Sequence, residues 1–430
     1  MIALLLAAAA TAAAATAAAP AAPSATVEAV DIHVGGIGFT SASAIRRFML
    51  TEAGQPFDQD TLDSDLRRLR TLGILYDLDA HRDGDRVQVE AKDRWSLVPF
   101  FGLRRGGGRT TARFGVADHN LAGQLATVYA ELNSNTDVPF VQGGPYGSFI
   151  YAEAPRLFGS GFSAGLYWTR DFIDFTSYGA TGNTGFLYDR QRHDLRGELR
   201  YELFPLVSAG AGVEVQRDRF GTSDLSRVAG VPPPAADATF GFFNVSFGLV
   251  EQFVSQASGN DVKLELEGAR HGFLGSTADV VIGSIAARSF SIPRPGHNLV
   301  LQMQLQTSNG TSDSFFFHAG GLREIRGFPD AYFEGRTLLR GNAEYRLDVL
   351  QTNWLLRAVG QVAAFTDFGY VAGRRGAIAG LDYEGTIVSA GFGGRYIPVA
   401  FARAVGRLDL AFGLAPRRTI DISFGGQQFF

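Results

Sequence analysis

The chain has 430 residues, of which 53 are glycine, 35 are phenylalanine, none is cysteine and only 19% are charged, a composition unlike that of an average soluble enzyme. The lack of cysteine excludes disulfides, thiolate metal sites and cysteine catalysis, and the formal net charge of -4 provides no basic field for a nucleic-acid partner. Past the N-terminus no run of about 18 apolar residues occurs, which excludes a polytopic helical membrane protein.

Residues 1–25 form an almost pure alanine and leucine tract that contains Pro20 and Pro23. A short apolar segment of small residues that ends at helix-breaking prolines is typical of a secretory signal peptide. We therefore expect residues 1–25 to be a signal peptide and the protein to be exported.

Residues 26–94 predict a small α+β unit with the element order β-α-α-β-β. Alternating apolar residues at 30–34 predict the first strand. Asp58 precedes leucines at helical spacing and is expected to cap the second helix. Asp83 and Gly84 form a preferred two-residue turn between the last two strands.

This unit, with the run FDQDTLDSDLRRLRTLGILYDLDAHRDGDRVQVEAKDR at residues 57–94, resembles a POTRA domain, the periplasmic module that precedes certain outer-membrane barrels. A three-stranded sheet leaves an edge strand that can accept an extended client segment by strand addition. The alternative, a folded spacer with no client, fits the sequence about equally well.

Residues 95–430 predict a series of strands of roughly ten residues, separated by clusters of glycine, asparagine, aspartate and proline. In the segment 298–306, Leu301, Met303 and Leu305 lie on one face and glutamines on the other. One apolar and one polar face is the pattern of a transmembrane barrel, whose outer residues contact lipid. The fold expected is mainly β, a 16-stranded antiparallel transmembrane β-barrel after one POTRA-like domain, with the segments near 184 and 196 joined as one strand.

Two tracts in this region resemble motifs of the BamA/TamA superfamily of outer-membrane assembly and translocation barrels. They are GGLREIRGF at Gly320–Phe328 and AAFTDFG at Ala363–Gly369, and Glu344 in NAEYRLD is a third match. The resemblance implies a loop folded into the barrel, with Arg326 as a clamp held by two acids. The clamp residues that it implies are Arg326, Gly327, Phe328, Glu344, Phe365, Asp367 and Gly369, of which Glu344 and Asp367 are the acceptors and Phe365 a stacking neighbour.

Strand alternation independently places Glu344 and Arg346 on the lumen face of one strand, and Phe365 and Asp367 on the lumen face of the next. A guanidinium inside the lumen can bind two carboxylates bidentately and fix its loop to the barrel wall. The alternative is an ordinary extracellular loop with a solvated Arg326.

The two ends of the barrel add further resemblances. The segments 114–123 and 149–161 are similar to the opening hairpins of the superfamily, and the chain ends in an alternating strand on Phe430, similar to the aromatic-ended strand by which bacterial assembly machinery recognises barrels. The resemblance implies a lateral gate between the first strand, near 96–104, and the last, near 419–430, because glycine weakens strand pairing. The predicted gate residues are Phe424, Gly425, Gly426 and Phe430.

These features predict a protein of the bacterial outer membrane, with its POTRA-like domain in the periplasm, that assists insertion, assembly or translocation of polypeptides. The expected partners are outer-membrane lipids, unfolded polypeptide clients, and accessory periplasmic proteins or lipoproteins. One alternative is a two-partner secretion pore for a dedicated exoprotein. That class usually has two POTRA domains and a plug helix, whereas this sequence predicts one POTRA domain and no plug helix. Another is a passive channel or structural surface barrel.

No enzymatic activity, cofactor or metal site is expected. The tract Gly161–Gly165 matches G-x-S-x-G but lacks the strand-turn-helix context that a nucleophile elbow requires. The seven histidines do not have the spacing of a metal site.

Overall fold

The computed structural model describes residues 26–106, 109–134, 146–178, 184–222, 232–321, 324–329, 331–353, 357–373, 380–381 and 383–428. The predicted signal peptide and Phe430 lie outside the described residues. Within the described ranges, no helix has the length and apolar character needed to cross a membrane.

Residues 26–94 fold as a module with the predicted order β-α-α-β-β. Its elements are β1 (Ala29–Gly36), α1 (Ala42–Arg46), α2 (Gln59–Arg70), β2 (Leu75–Asp83) and β3 (Arg86–Asp93). The central strand β3 pairs parallel with β1 and antiparallel with β2. As expected, Asp58 caps α2, because its carboxylate accepts a hydrogen bond from the Thr61 amide at 3.0 Å.

The module has an apolar core between its sheet and its helices. Ile45 of α1 and Leu62 and Leu69 of α2 are fully buried against Val87 and Val89 of β3. The leucines fall on one side of α2 because they recur at helical spacing, which gives the helix a single apolar face.

In the described residues, sixteen long strands form one antiparallel sheet that closes into a barrel, so the predicted strand number is confirmed. The first eight are β4 (Leu97–Gly106), β5 (Arg109–Leu121), β6 (Ala126–Ser134), β7 (Tyr146–Ala154), β8 (Phe162–Tyr178), β9 (Thr184–Phe204), β10 (Val207–Thr222) and β11 (Ala236–Gln252). The others are β12 (Ala257–Ala269), β13 (Val280–Arg294), β14 (His297–Ser308), β17 (Thr337–Thr352), β18 (Ala358–Ala372), β20 (Gly385–Pro398), β21 (Ala404–Ala415) and β22 (Thr419–Gln428). The segments near 184 and 196 form the single strand β9, as predicted.

Alternation sorts the side chains of these strands into an inner and an outer face. In β18, Phe365 and Asp367 are buried inside the barrel while their neighbours Ala364 and Thr366 are exposed outside it. This is the two-residue period that the sequence predicted, because successive side chains of a strand point to opposite faces.

The connection between β14 and β17, residues 309–336, is here named the inner loop. It contains a short hairpin of β15 (Phe317–Ala319) and β16 (Phe333–Gly335). A further short strand, β19 (Gly380–Leu381), pairs with β8 at Ser177 and Tyr178.

The module packs against the turns at one end of the barrel. Leu125 of the β5–β6 turn and Ala402 of the β20–β21 turn belong to the same apolar core as Ile45 and Leu62. The Trp95 amide also donates a hydrogen bond to the Ala400 carbonyl at 3.0 Å. The two parts therefore share a packed junction.

Candidate functional site: an arginine clamp inside the barrel

The inner loop contacts two separate walls of the barrel. Near its start, the Ser314 carbonyl accepts a hydrogen bond from Arg192 of β9 at 2.8 Å. The Phe315 ring packs edge-on against Phe240 of β11, with 6.2 Å between ring centroids. Near its middle the loop reaches Arg326, which contacts β17 and β18. The loop thus crosses the lumen.

The Arg326 guanidinium is buried and bound by acids from two strands. Its Nε donates to Asp367 Oδ2 at 2.8 Å, and its Nη2 donates to Asp367 Oδ1 at 2.6 Å. Its Nη1 donates to Glu344 Oε2 at 2.7 Å. The backbone amide of Arg326 adds a bond to Asp367 Oδ2 at 2.9 Å. This fork geometry matches the bidentate pairing that an arginine, unlike a lysine, makes with a carboxylate.

Two neighbours complete the immediate surroundings of Arg326. The centre of its guanidinium lies 3.3 Å from the centroid of the Phe365 ring, a cation–π contact. Asn342 of β17 donates to the same Asp367 carboxylate. The structure therefore brings together Arg326, Glu344, Phe365 and Asp367, the four residues to which the resemblance assigned contacts.

The acids also belong to a wider network of charges inside the barrel. Glu344 accepts from Arg346 at 2.7 Å and from Arg395 at 3.1 Å. Asp409 of β21 accepts from Arg395 at 2.6 Å and lies 3.6 Å from Arg326. Arg407 also donates to Asp409.

We call this network of four arginines and three acids the clamp cluster: Arg326, Arg346, Arg395, Arg407, Glu344, Asp367 and Asp409. Its formal charge is 4 minus 3, or +1, so nearly all of the buried charge is compensated. Burial of charges is tolerated only when each is paired and hydrogen-bonded. The cluster therefore holds the inner loop in position and leaves no carboxylate of the clamp without a cation.

The residues that flank Arg326 fit the loop to the wall. Gly327 has a φ of +87°, and a Cβ there would lie 2.8 Å from the backbone nitrogen of Gly413 in β21, so glycine is required. Phe328 is fully buried, in edge-to-face contact with Phe333 at 5.1 Å. A Cβ at Gly369 would lie 2.4 Å from Ile325 Cδ1, so the absence of a side chain makes room for the loop.

Sequence reasoning identified Arg326, Glu344 and Asp367 but missed Arg395 and Asp409. Arg407 and Asp409 alternate with apolar residues in the sequence, but this local pattern does not indicate that their face meets the inner loop. The available signal was the glycine-rich GFGG at 391–394 on β20: a Cβ at Gly393 would lie 2.1 Å from Asp409 Oδ1, so the glycine leaves space for the acid.

The predicted gate residues lie on β22. Phe424 is exposed on the outer face and pairs with Arg105 of β4. Gly425 and Gly426 pair with β21, opposite Arg407 and Gly406. Among the described residues, β22 pairs with β4 only at Phe424, whereas it pairs with β21 along its whole length. The seam between the first and last strands is therefore the weakest ladder described in the sheet.

The module is tied to the barrel by ion pairs as well as by its apolar core. Arg68 of α2 donates to Glu202 Oε1 of β9 at 2.7 Å, and Arg156 of the β7–β8 turn binds the other oxygen of Glu202. Arg70 lies 3.3 Å from Glu251 of β11. Burial lowers the pKa of the Arg68 guanidinium, and the Glu202 charge opposes that shift. Glu202 thus links module and barrel through one carboxylate.

No protein-family profile matches the sequence, and no curated protein matches it. Solved structures do match. BamA from Haemophilus ducreyi lacking POTRA domains 1–3 aligns with a TM-score of 0.53 and 15% identity over 94% of this chain and 85% of that chain. CdiB from Acinetobacter baumannii gives 0.61 and 12% over 94% and 74%, and CdiB from Escherichia coli gives 0.64 and 12% over 94% and 77%. At these identities the similarity is one of fold.

Proposed function

We propose that this protein, which shares the fold of the BamA/TamA superfamily of outer-membrane barrels, assists insertion, assembly or translocation of polypeptides at the bacterial outer membrane. The barrel spans the membrane, the module acts as a POTRA domain in the periplasm, and the partners are lipids, unfolded polypeptides and accessory periplasmic proteins or lipoproteins. The outer face of the barrel is suited to contact with lipid, because large apolar residues are exposed on it along β12, β14 and β22.

The observation that carries the proposal is the seam between β22 and β4. In the part of the chain that the structure describes, these strands pair at Phe424 and Arg105 alone. Unpaired backbone groups at a strand edge are a template for another strand. A client strand can therefore pair with the edge of the first or last strand and leave sideways into lipid.

The inner loop argues against the passive-channel alternative. A wide pore requires an open lumen, but this loop contacts β9 through Ser314 and β17 and β18 through Arg326. A chain that crosses the lumen and is fixed at both walls reduces the free cross-section for solutes. Transfer of a polypeptide through the seam does not need an open lumen.

The module supplies a second feature that fits polypeptide clients. Its described sheet has the order β1-β3-β2, so β1 and β2 each have one edge that no other strand of that sheet covers. An extended segment can bind at such an edge by main-chain hydrogen bonds before it reaches the barrel.

The test is deletion of the gene followed by quantitative proteomics of the outer membrane and of the medium. Loss of many different barrels from the membrane supports assembly of clients. Loss of one exported protein alone supports the secretion-pore alternative, and unchanged levels of both classes contradict the proposal. Complementation with the wild-type chain is the control for secondary effects of the deletion.

A further inference from the structure

The loop between β1 and α1, residues 37–41, presents large apolar side chains to the surroundings. Ile37 is 53% exposed and Phe39 is 78% exposed. Trp95, itself 36% exposed, lies beside them, with 6.4 Å between its ring centroid and that of Phe39. We call Ile37, Phe39 and Trp95 the apolar foot of the module.

The foot is held rigidly in this exposed form. The backbone amides of Gly38 and Thr40 each donate to the Asp93 carboxylate at 2.8 Å, and Asp93 is buried. Gly36 has a φ of +112°, and a Cβ there would lie 2.3 Å from the Asp93 carbonyl oxygen. A buried carboxylate and a glycine-specific turn thus fix a conformation in which Ile37 and Phe39 cannot fold back onto the module.

The position of the foot follows from its contacts with the barrel. The Ser41 amide donates to the Gly123 carbonyl in the β5–β6 turn at 3.0 Å. Leu97, two residues after Trp95, and Leu121, two residues before Gly123, are exposed at the same end of β4 and β5, and Phe114 is exposed farther along β5. The foot therefore continues the outer apolar surface of the two strands next to the seam.

Other turns on the same end of the barrel share this character. Phe158 between β7 and β8 and Phe253 between β11 and β12 are both exposed. Aromatic residues at that level of a barrel are typical of the boundary between membrane and water.

We infer that the apolar foot inserts into the surface of the lipid bilayer on the module side of the seam and so anchors the module to the membrane. The inference rests on the proposed function in one respect, namely that the barrel spans a membrane. The ligand is lipid rather than a client or a second copy of the chain, because the foot is continuous with the surface that the proposal already places in lipid. Rigid apolar groups at an interface bind without a large ordering cost.

The absence of cysteine allows a direct test by site-directed spin labelling. Phe39→Cys and, separately, Ile37→Cys are labelled with a nitroxide in the full chain, which is reconstituted in vesicles of phosphatidylethanolamine and phosphatidylglycerol. Accessibility to oxygen, which concentrates in lipid, is compared with accessibility to a water-soluble nickel chelate. Phe114→Cys on the outer face of β5 is the lipid control, and Asp60→Cys at the exposed start of α2 is the water control.

We expect both foot labels to shift from the nickel-accessible behaviour of Asp60→Cys toward the oxygen-accessible behaviour of Phe114→Cys. Nickel accessibility at the foot equal to that of Asp60→Cys, with Phe114→Cys in lipid, overturns the inference and leaves the proposed function intact. Protection from both reagents means that protein covers the foot, which also overturns it. A water-accessible Phe114→Cys instead contradicts the membrane barrel itself.

Discussion

Within the clamp cluster the three acids do not depend equally on Arg326. Glu344 keeps Arg346 and Arg395 as partners if Arg326 is removed, and Asp409 keeps Arg395. Among the residues that the structure describes, Asp367 receives its guanidinium hydrogen bonds from Arg326 alone. The cost of losing Arg326 therefore falls on one buried carboxylate.

We predict that Arg326→Ala lowers the free energy of unfolding by about 3 to 5 kcal/mol, because it leaves Asp367 buried without a cation. The measurement is denaturant unfolding of the folded barrel in detergent, with trypsin cleavage of the inner loop as a local readout. Arg326→Lys is expected to recover part of the loss, since it restores the charge but not the two-point pairing.

A double variant separates the orphaned charge from a general packing defect. Asp367→Asn added to Arg326→Ala is expected to be more stable than Arg326→Ala alone, because the unpaired charge is gone. Unfolding of Arg326→Ala at the wild-type denaturant concentration is the result that contradicts a stabilising clamp.

At the scale of strands, the register of the seam decides which residues a crosslink can join. Phe424 of β22 pairs with Arg105 of β4. Leu97, at the other end of β4, pairs with Asp118 of β5. Positions 105 and 424 are therefore suited to a disulfide at the seam, because cysteines bridge only between closely opposed Cα atoms.

We predict that Arg105→Cys with Phe424→Cys forms a disulfide under oxidation and abolishes complementation of the deletion strain, because the seam can no longer open. Reduction is expected to restore activity. The matched control is Leu97→Cys with Asp118→Cys, which joins β4 to β5 without crossing the seam and should leave activity unchanged. Full activity of the oxidised seam variant excludes lateral opening.

The strands are predictable from sequence because alternation is a local property. The joining of the segments near 184 and 196 into one strand follows instead from the even strand number that a closed single-chain barrel requires. Arg326, Glu344 and Asp367 were found through short motifs. Arg395 and Asp409 were not assigned to the site, because their meeting depends on the pairing of β20 with β21 and on where the inner loop enters the lumen. Such pairings join distant parts of the chain and leave no local pattern.

At the scale of the whole molecule, the junction between module and barrel combines a shared apolar core with a few ion pairs. Glu202 binds two arginines, Arg68 of the module and Arg156 of the barrel. The Glu202 carboxylate therefore helps to fix the orientation of α2 relative to the β7–β8 turn. No local sequence pattern indicates this contact, since 134 residues separate Arg68 from Glu202.

We predict that Glu202→Gln loosens the module without unfolding it, because both arginines lose their ion pair with Glu202 while Leu125 and Ala402 still pack in the core. The measurement is the distance distribution between nitroxides at Asp60→Cys and Leu206→Cys by pulsed electron paramagnetic resonance. A broader distribution than in the parent is expected.

The control is Asp31→Asn, which removes an exposed ion pair with Arg86 inside the module and should leave the distribution as narrow as before. Distance distributions of equal width in Glu202→Gln and the parent mean that the apolar core alone sets the orientation of the module relative to the barrel.

The contacts of Arg326 also set a condition on the protein's own biogenesis. Its acids come from β17, β18 and β21, and β21 is the last strand but one. The guanidinium cannot have its complete set of counter-ions until all three strands are in place. Full pairing of this one side chain therefore requires an assembled C-terminal part of the barrel, whatever the order in which the strands join.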